Sequence, residues 1–368
     1  MRHLIRVAAA AATIAGLTPV AGFAQTTEAV VAANTQTEAQ PAPAVRKPAA
    51  KPAPRWLDVQ TAALDARYRF VDSSAGVTTS NHLQYRNTLK VGIKLDQAGR
   101  YSVQALAGTG TSFTGSWENS GLGTGDKDWN PGVRHLYFAG KPAKGLEFQV
   151  GGLAMAKTEN TEITGFDNDG YMVGERVSVK RPKDVYLDEI TLTVGYFGDL
   201  TTPNVFKRLD RLDDHDFTQV VVAKKLGARV TGSADWARIA GVQTWHEAAR
   251  VATREARAFD AVRLELYQRV DGIEGNGFAA GFEKALPHKA GLTLGWANID
   301  RANPLVNGDR YGRGQRLFAD AKMPLPADLS LNVFYTRAID NDFALPIRTR
   351  FDVVVSYNVL KGIQRAIR

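Results

Sequence analysis

The stretch HLQYRNTLKVGIKL, residues 82–95, alternates between two kinds of side chain. One set of alternate positions is apolar or uncharged: Leu83, Tyr85, Asn87, Leu89, Val91, Ile93 and Leu95. The other set is polar or basic, apart from one glycine: His82, Gln84, Arg86, Thr88, Lys90, Gly92 and Lys94. A period of two is that of a β-strand, in which successive side chains point to opposite faces. The stretch therefore predicts a strand with one apolar face and one basic, hydrated face.

The same alternation recurs to the end of the chain, with short turns and long polar loops in alternation between the segments. A soluble antiparallel sheet shows a similar pattern, but transmembrane β-barrels combine it with short turns at one end and long loops at the other. After the N-terminus, no apolar run approaches the roughly 20 residues that a spanning helix needs. We therefore predict an all-β fold, a transmembrane antiparallel up-and-down β-barrel.

Neighbouring strands of such a barrel must run in opposite directions. Assigning a direction to each predicted strand on this rule gives about 16 strands, with 14 or 18 as alternatives. The short turns at 225–227 and 286–290 are both predicted on the periplasmic side, so a downward strand is required between 240 and 256. Residues 244–254 supply it, although their composition favours a helix. An even number of strands is what a single-chain bacterial barrel requires. The predicted strands are approximately 56–70, 80–95, 100–109, 132–140, 145–155, 170–180, 188–197, 215–224, 228–239, 244–254, 257–270, 277–285, 290–299, 313–323, 328–338 and 348–359.

Four regions are expected along the chain. Residues 1–24 have the charged start, apolar stretch and small-residue cleavage site of a signal peptide. Residues 25–55 form an Ala/Pro-rich segment that favours an extended, disordered periplasmic linker. The barrel is predicted over 56–360 and a C-terminal tail over 361–368. This organisation places the chain in the outer membrane of a Gram-negative bacterium, with its N-terminal extension in the periplasm.

The net charge is a weak indicator of binding partners. The formal charge is +8, but the cations of the signal and the linker account for half of it, which leaves about +4 from Trp56 onward. The charges of this part are interleaved, whereas proteins that bind nucleic acid cluster Lys and Arg on one element. No nucleic-acid partner is therefore expected. The chain has no cysteine, so disulfides do not contribute to its stability.

Basic residues collect on the hydrated face of the predicted strands. The candidate pore-lining residues are Arg86, Lys90, Arg176, Lys180, Arg229, Arg250, Arg263, Arg316 and Arg350. Fixed positive charge in a pore lowers the barrier for anions, although the same arginines could simply pair with acids and stiffen the wall. The loop at 156–169 carries four acids, Glu159, Glu162, Asp167 and Asp169. If this loop folds inward as a constriction loop, its acids face the basic wall and create a transverse field.

Enzymatic and metal sites are not indicated. None of the six His residues forms a spaced metal pair. The run Asp167-Asn168-Asp169-Gly170 resembles the start of a calcium loop, but Arg176 stands where that loop needs its bidentate Glu. We predict no catalytic residue, no metal and no cofactor.

Four segments of the first half of the predicted barrel are informative: YRNTLKVG at 85–92, HLYF at 135–138, GLEFQVG at 145–151 and FDNDGY at 166–171. They resemble bacterial outer-membrane porins, in particular porin and alginate-export-like barrel families of proteobacteria. The resemblance implies passive passage of solutes and names no solute. The chain departs from the pattern at its end, where Tyr357 and Val359 are followed by LKGIQRAIR instead of a terminal aromatic residue.

We predict a porin for passive diffusion of small hydrophilic solutes, with a mild preference for anions. The alternative is a structural barrel that is tethered to peptidoglycan through residues 25–55. The expected partners are outer-membrane lipid and lipopolysaccharide, peptidoglycan at the linker, and further copies of the chain in a trimer.

Overall fold

The structure, a computed structural model, describes residues 56–73, 75–112, 115–167, 169–180, 186–198, 204–253, 258–300, 311–339 and 347–366. The predicted signal peptide and linker, residues 1–55, lie outside this part of the chain.

Seventeen strands and one C-terminal helix make up the described residues. The strands are β1 Leu57–Asp72, β2 Thr78–Lys94, β3 Tyr101–Thr109, β4 Glu118–Gly123, β5 Pro131–Ala143, β6 Leu146–Ala154, β7 Tyr171–Lys180, β8 Glu189–Tyr196, β9 Phe217–Lys225, β10 Val230–Ile239, β11 Val242–Ala252, β12 Ala261–Arg269, β13 Asn276–Leu286, β14 Ala290–Ile299, β15 Gly314–Pro324, β16 Leu329–Ala338 and β17 Thr349–Asn358. The helix is α1, Val359–Ala366. Three-residue 3-10 turns occur at Val205–Lys207, Leu209–Arg211 and Pro287–Lys289.

The sheet closes on itself, because β1 pairs with β2 on one side and with β17 on the other. All pairings are antiparallel, and each wall strand is hydrogen-bonded to its neighbours in sequence. Sixteen strands form this closed wall, so the prediction of a 16-stranded up-and-down barrel is confirmed. Closure satisfies the backbone groups that an open sheet edge would leave unpaired.

The short strand β4 was not predicted, since it lies within a segment that reads as a polar loop. It pairs with β2 between His82 and Tyr85, beyond the last β2–β3 pair at Thr88 and Gly108. The strand thus continues the wall where β3 has already ended.

The strand required by the direction count is β11, Val242–Ala252. It pairs with β10 over ten residues, from Val230↔Val251 to Ile239↔Val242. The connecting turn consists of Ala240 and Gly241, both with positive φ, at 46° and 92°. Two positive φ angles fit the two-residue turns that match strand twist in a hairpin. Pairing with two long neighbours outweighs the helical composition of the segment.

The two faces of the wall differ in chemistry. Large apolar side chains project outward and are exposed, among them Leu64, Leu83, Leu89, Ile93, Val177, Ile190, Leu192, Leu264, Leu266, Leu294, Leu317 and Val355. The alternate positions face the interior and include buried polar residues such as Asp65, Arg67, Gln219, Asp235, Glu265 and Asp352. Apolar-out and polar-in alternation is the signature of a barrel that crosses a membrane.

The barrel has two unlike ends. The end that carries α1 and the start of β1 is here named the turn end; the other end, named the loop end, carries the longest connections together with the short β1–β2, β10–β11 and β12–β13 connections. None of the helices in the described ranges is long and apolar enough to cross a membrane.

One long connection, between β8 and β9, folds back over the outer surface of the wall. Its residues 204–212 cover the loop end of β5–β8. Val205 is fully buried against Tyr171 and Val173, and the Arg211 guanidinium carbon lies 4.8 Å from the ring centre of Tyr196. This outer segment buries apolar wall residues that would otherwise be exposed.

Candidate functional site

The connection between β6 and β7 folds into the barrel. This inner loop, residues 155–170 without the undescribed position 168, runs along the inner face of β10–β16. Ile163 at its middle is 3% exposed and packs among Ala279, Ile299 and Phe318. Ile163 thus buries its apolar side chain against an apolar patch of the wall. This burial stabilises the inward course of the otherwise polar loop.

Hydrogen bonds fix the loop to the same side of the wall. The carboxylate of Glu265 on β12 accepts bonds from the Thr164 hydroxyl at 2.6 Å and from the Thr161 backbone N–H at 3.0 Å. The Glu159 backbone N–H donates to the Ser233 hydroxyl on β10 at 2.7 Å. Because Glu265 is buried, losing these donors would leave a buried carboxylate without partners.

Farther along the loop, Phe166 contacts a buried polar pair on the wall. His246 Nδ1 lies 2.5 Å from Asp235 Oδ1, and both side chains are essentially inaccessible. The Phe166 ring meets the His246 ring edge-on with the centres 5.4 Å apart, and Gln219 donates to the second Asp235 oxygen at 3.2 Å. The pair therefore forms part of the surface on which the inner loop rests.

A second segment folds inward on the opposite side. Trp117, just before β4, lies against the inner face of β1 and β2. The guanidinium carbons of Arg67 and Arg86 lie 4.0 Å and 4.6 Å from the centre of its ring. Such contacts attract a cation to the electron-rich face of the indole and hold both arginines in place.

The arginines of this side surround a single carboxylate. Asp352 on β17 accepts from Arg350 at 2.7 Å and from Arg69 at 3.2 Å, and Arg67 lies 3.9 Å from it. Asp65 pairs separately with Arg86 at 2.7 Å. Four cations against two carboxylates leave this wall with an excess of positive charge, which the inner loop faces with its acids.

The inner loop and the Trp117 segment are joined by polar contacts. Asp169 lies 3.5 Å from Arg86 and accepts from the Ser116 hydroxyl at 2.5 Å. The buried Arg134 donates to the backbone oxygens of Gly115 and Asp169 at 3.2 Å and 2.9 Å. One guanidinium thus bridges two inward-folded segments, which fixes their relative position.

Between these groups lies a cavity of about 460 Å³, here named the arginine cavity. Its wall side is lined by Arg67, Arg69, Arg86, Arg350 and Asp352, and its loop side by Trp117, Glu162, Asp167 and Asp169. A second cavity of about 380 Å³ shares Arg86, Asp169 and Ser356 with it and reaches Asp328 and Asn358 at the turn end. The two cavities lie next to each other along β1, β2 and β17.

The predicted site residues fall into separate groups. Arg86 and Arg350 line the arginine cavity, as do Glu162, Asp167 and Asp169. Arg250 and Arg263 share Glu283 at 2.8 Å and 3.1 Å, and Glu159 pairs with Arg263 on that side at 3.5 Å.

Three other candidates lie on the inner face outside the lining of the arginine cavity. Arg176 donates to Thr193 at 3.0 Å and to Gln149 at 3.2 Å. Lys180 lies 3.6 Å from Glu189. Lys90, on β2, pairs in register with Leu106 on β3.

Two of the predicted pore-lining residues lie elsewhere. Arg316 is 1% exposed, and it donates to Thr336 at 3.1 Å and to the Ile347 backbone oxygen at 2.7 Å. Its guanidinium therefore fixes the backbone at the loop end and presents no surface to the lumen. Arg229 precedes β10 in an exposed position of the short 226–229 turn, so it lies at the rim. Period-two alternation identifies which residues of a strand face the interior. It does not show where the strand ends, as for Arg229, or which segments cover an inward side chain, as for Arg316.

The geometry of the wall and the inward loop can be compared with solved structures. A double mutant of the Rh. blastica porin superposes with a TM-score of 0.54 at 11% identity, over 82% of this chain and 99% of that one. The chain has a porin fold. Salmonella typhi OmpF, in a complex with daunomycin, gives a TM-score of 0.52 at 10% identity, over 82% of this chain and 97% of that one.

The sequence comparisons add no closer relative. No protein-family description matches the chain, and no curated protein matches it either. The resemblance to the alginate-export-like families therefore stays a prediction, while the porin-like barrel is shown.

Several residues of the arginine cavity were missed from the sequence. Arg67 and Arg69 follow Asp65 at period two on β1, which is the same signal that identified Arg86, but these residues were not assigned to the inner face. Trp117 and Arg134 carry no such signal, because one precedes a short strand and the other lies beside an irregularity in β5.

Proposed function

We propose that the chain is an outer-membrane porin through which small hydrophilic solutes diffuse passively. The barrel crosses the outer membrane of a Gram-negative bacterium, with the turn end in the periplasm and the loop end outside. The exposed apolar residues of the outer face contact lipid, since nothing in the described part of the chain covers them.

The arginine cavity is the observation that carries this proposal. Charged and polar side chains make up most of its lining, and the second cavity, which shares Arg86, Asp169 and Ser356 with it, lies toward the turn end. The inner loop lies against the inner face of β10–β16, and from this we infer that solutes pass beside β1, β2 and β17. Acids on the loop and arginines on the wall face each other across this passage and create a transverse field.

The proposed preference for anions is mild because charges at the arginine cavity are nearly balanced. Four arginines are matched there by Asp352, Glu162, Asp167 and Asp169. The bias comes from the turn end, where a further cavity of about 280 Å³ is lined by Lys94, Arg100 and Lys141 against Asp58 and Glu147. Cations at a pore mouth raise the local concentration of anions.

The test is the conductance of the purified chain in a planar bilayer. Stepwise ohmic currents are expected, and a potassium chloride gradient should give a reversal potential with the sign of chloride preference. A folded barrel that gives no resolvable current contradicts the proposal. A reversal potential of the opposite sign removes the anion preference and leaves the porin function intact.

The structural alternative depends on residues 25–55, and the sequence alone supports it. A tethered barrel should co-purify with peptidoglycan until lysozyme treatment, and deletion of 25–55 should release it. Release by both treatments would establish the tether, which is compatible with conduction. For the porin itself, we also propose contacts with lipopolysaccharide and assembly into a trimer.

A further inference from the structure

The helix α1 lies directly below the last strand, at the turn end of the barrel. Asn358 accepts a bond from the Lys361 backbone N–H at 2.9 Å, and Arg365 pairs with Asp328, in the turn before β16, at 2.8 Å. A Cβ on Gly362 would come within 2.0 Å of the Tyr357 hydroxyl, so a larger residue here would require the Tyr357 side chain to shift. The helix also contacts β1. These ties fix α1 against the rim.

The helix has one apolar face and one basic face. At 100° per residue, Val359, Leu360 and Ile363 fall on one side, and Lys361, Gln364 and Arg365 fall on the other. Ile363 is 52% exposed, whereas Val359 and Leu360 are half-buried, so the described chain leaves the Ile363 part of the apolar face open.

The apolar face continues the outward surface of the wall at its turn end. Tyr357, which Gly362 contacts, pairs in register with the outward and exposed Leu64 on β1, and it also borders the second cavity at the rim. Leu57, Ile93 and Leu95 are exposed outward residues near the turn end of β1 and β2. The helix therefore lies where the apolar belt ends and the headgroup region of a membrane begins.

We propose that α1 is an interfacial helix that binds anionic phospholipid in the membrane leaflet at the turn end. Its apolar face enters the boundary between acyl chains and headgroups, as amphipathic surface helices do. Lys361 and Arg365 lie at headgroup level; the Arg365 side chain remains 56% exposed despite its pairing with Asp328. Basic residues at this depth are attracted to anionic headgroups. The proposal rests on the membrane placement given above.

The absence of cysteine in the chain allows a direct test with single labels. Ile363→Cys and Gln364→Cys are each labelled with bimane in the full-length protein. The proteins are reconstituted in vesicles of phosphatidylcholine, with or without phosphatidylglycerol, that contain brominated lipid as a quencher. Quenching at 363 should be about twofold stronger than at 364, because adjacent helical positions face lipid and water respectively. Aqueous iodide should give the reverse order.

The lipid preference has its own control. Phosphatidylglycerol should increase lipid quenching at 363, and Lys361→Gln should reduce this increase while it leaves the barrel folded. Conductance of the same samples shows whether the barrel has inserted. If the barrel conducts but 363 is as accessible to iodide as 364, the interfacial helix is refuted and the porin proposal stands. Protection of 363 from both quenchers would indicate a protein contact, such as a second copy of the chain, and would also overturn the proposal.

Discussion

The two halves of the inner wall use similar residues for different purposes. On β10–β16, the inner loop covers the wall, and charged and polar residues such as Glu265, Arg263 and Ser233 hold that loop. On β1, β2 and β17, here named the uncovered half, the inner loop leaves most of the wall open, and Asp352 and the arginines around it line a cavity together with Trp117. The position of one loop therefore decides whether a charged wall residue anchors structure or contacts solutes.

Removal of the inner loop should have the largest effect. Replacing residues 158–166 with a short Gly-Ser linker should raise single-channel conductance by roughly twofold or more, because conductance follows the narrowest open section of a pore. The measurement is the step size in planar bilayers. An equal replacement in the outer segment, residues 204–212, should leave the step size unchanged. Unchanged conductance after the inner-loop replacement would mean that the loop does not limit the passage.

The loop anchor should contribute measurably to stability. Glu265→Ala removes the acceptor of the Thr161 and Thr164 donors, and a loss of about 1–3 kcal/mol is expected because the Thr164 hydroxyl is buried and loses this acceptor. Denaturant unfolding in detergent measures the change. Glu265→Gln keeps an acceptor oxygen and should lose less. If both variants are as stable as the parent, these hydrogen bonds do not hold the loop.

The uncovered half should set ion selectivity. Asp352→Asn leaves Arg67, Arg69 and Arg350 less compensated and should shift the reversal potential toward chloride, by on the order of twofold in permeability ratio. Arg69→Gln should shift it toward potassium.

A matched control exists in Arg229→Gln, which removes one positive charge at the rim. Its shift should be smaller than that of Arg69→Gln. An equal shift would show that the selectivity arises from overall charge and not from the arginine cavity.

Trp117 should order the arginines of the uncovered half. Trp117→Ala removes its contacts with Arg67 and Arg86, and a stability loss of about 0.5–2 kcal/mol is expected for such cation–π contacts. Thermal unfolding gives the change, and Trp129→Ala, at an exposed position of the same connection, is the comparison variant. Equal losses in both variants would contradict a specific role for Trp117.

The smallest effect concerns a turn of the covered half. Asp260 accepts a bond from the Lys284 ammonium at 2.9 Å and another from the Ala285 backbone N–H, which holds the pKa of its carboxyl below the ordinary 3.8. Because the folded pKa is lowered, this carboxylate stabilises the turn above about pH 4, and the contribution is lost as the pH falls through the folded value. A carboxyl NMR titration should show the low pKa, and Lys284→Gln should raise it. No rise in that variant would rule out the Lys284 contact as the main cause.

Most of the wall could be predicted from the sequence because lipid and lumen impose a period of two on each strand. The stretch at 82–95 lies almost wholly within β2, and the directional count located β11 despite its helical composition. The residues that line the arginine cavity could be predicted less completely from this period. Whether Arg316 faces the lumen or is buried depends on how loops cover the wall, and β4 and Trp117 are placed by long-range packing that no local periodicity encodes.

The outer segment, residues 204–212, has a consequence for how copies of the chain could assemble side by side. It occupies the loop-end half of the outward surface of β5–β8, where Val205 fills the space beside Gly152 and Arg211 covers Tyr196. A neighbouring barrel in that sector would meet the outer segment as well as the wall strands beneath it. In a symmetric assembly that used this sector, residues 204–212 would therefore shape the contact between copies.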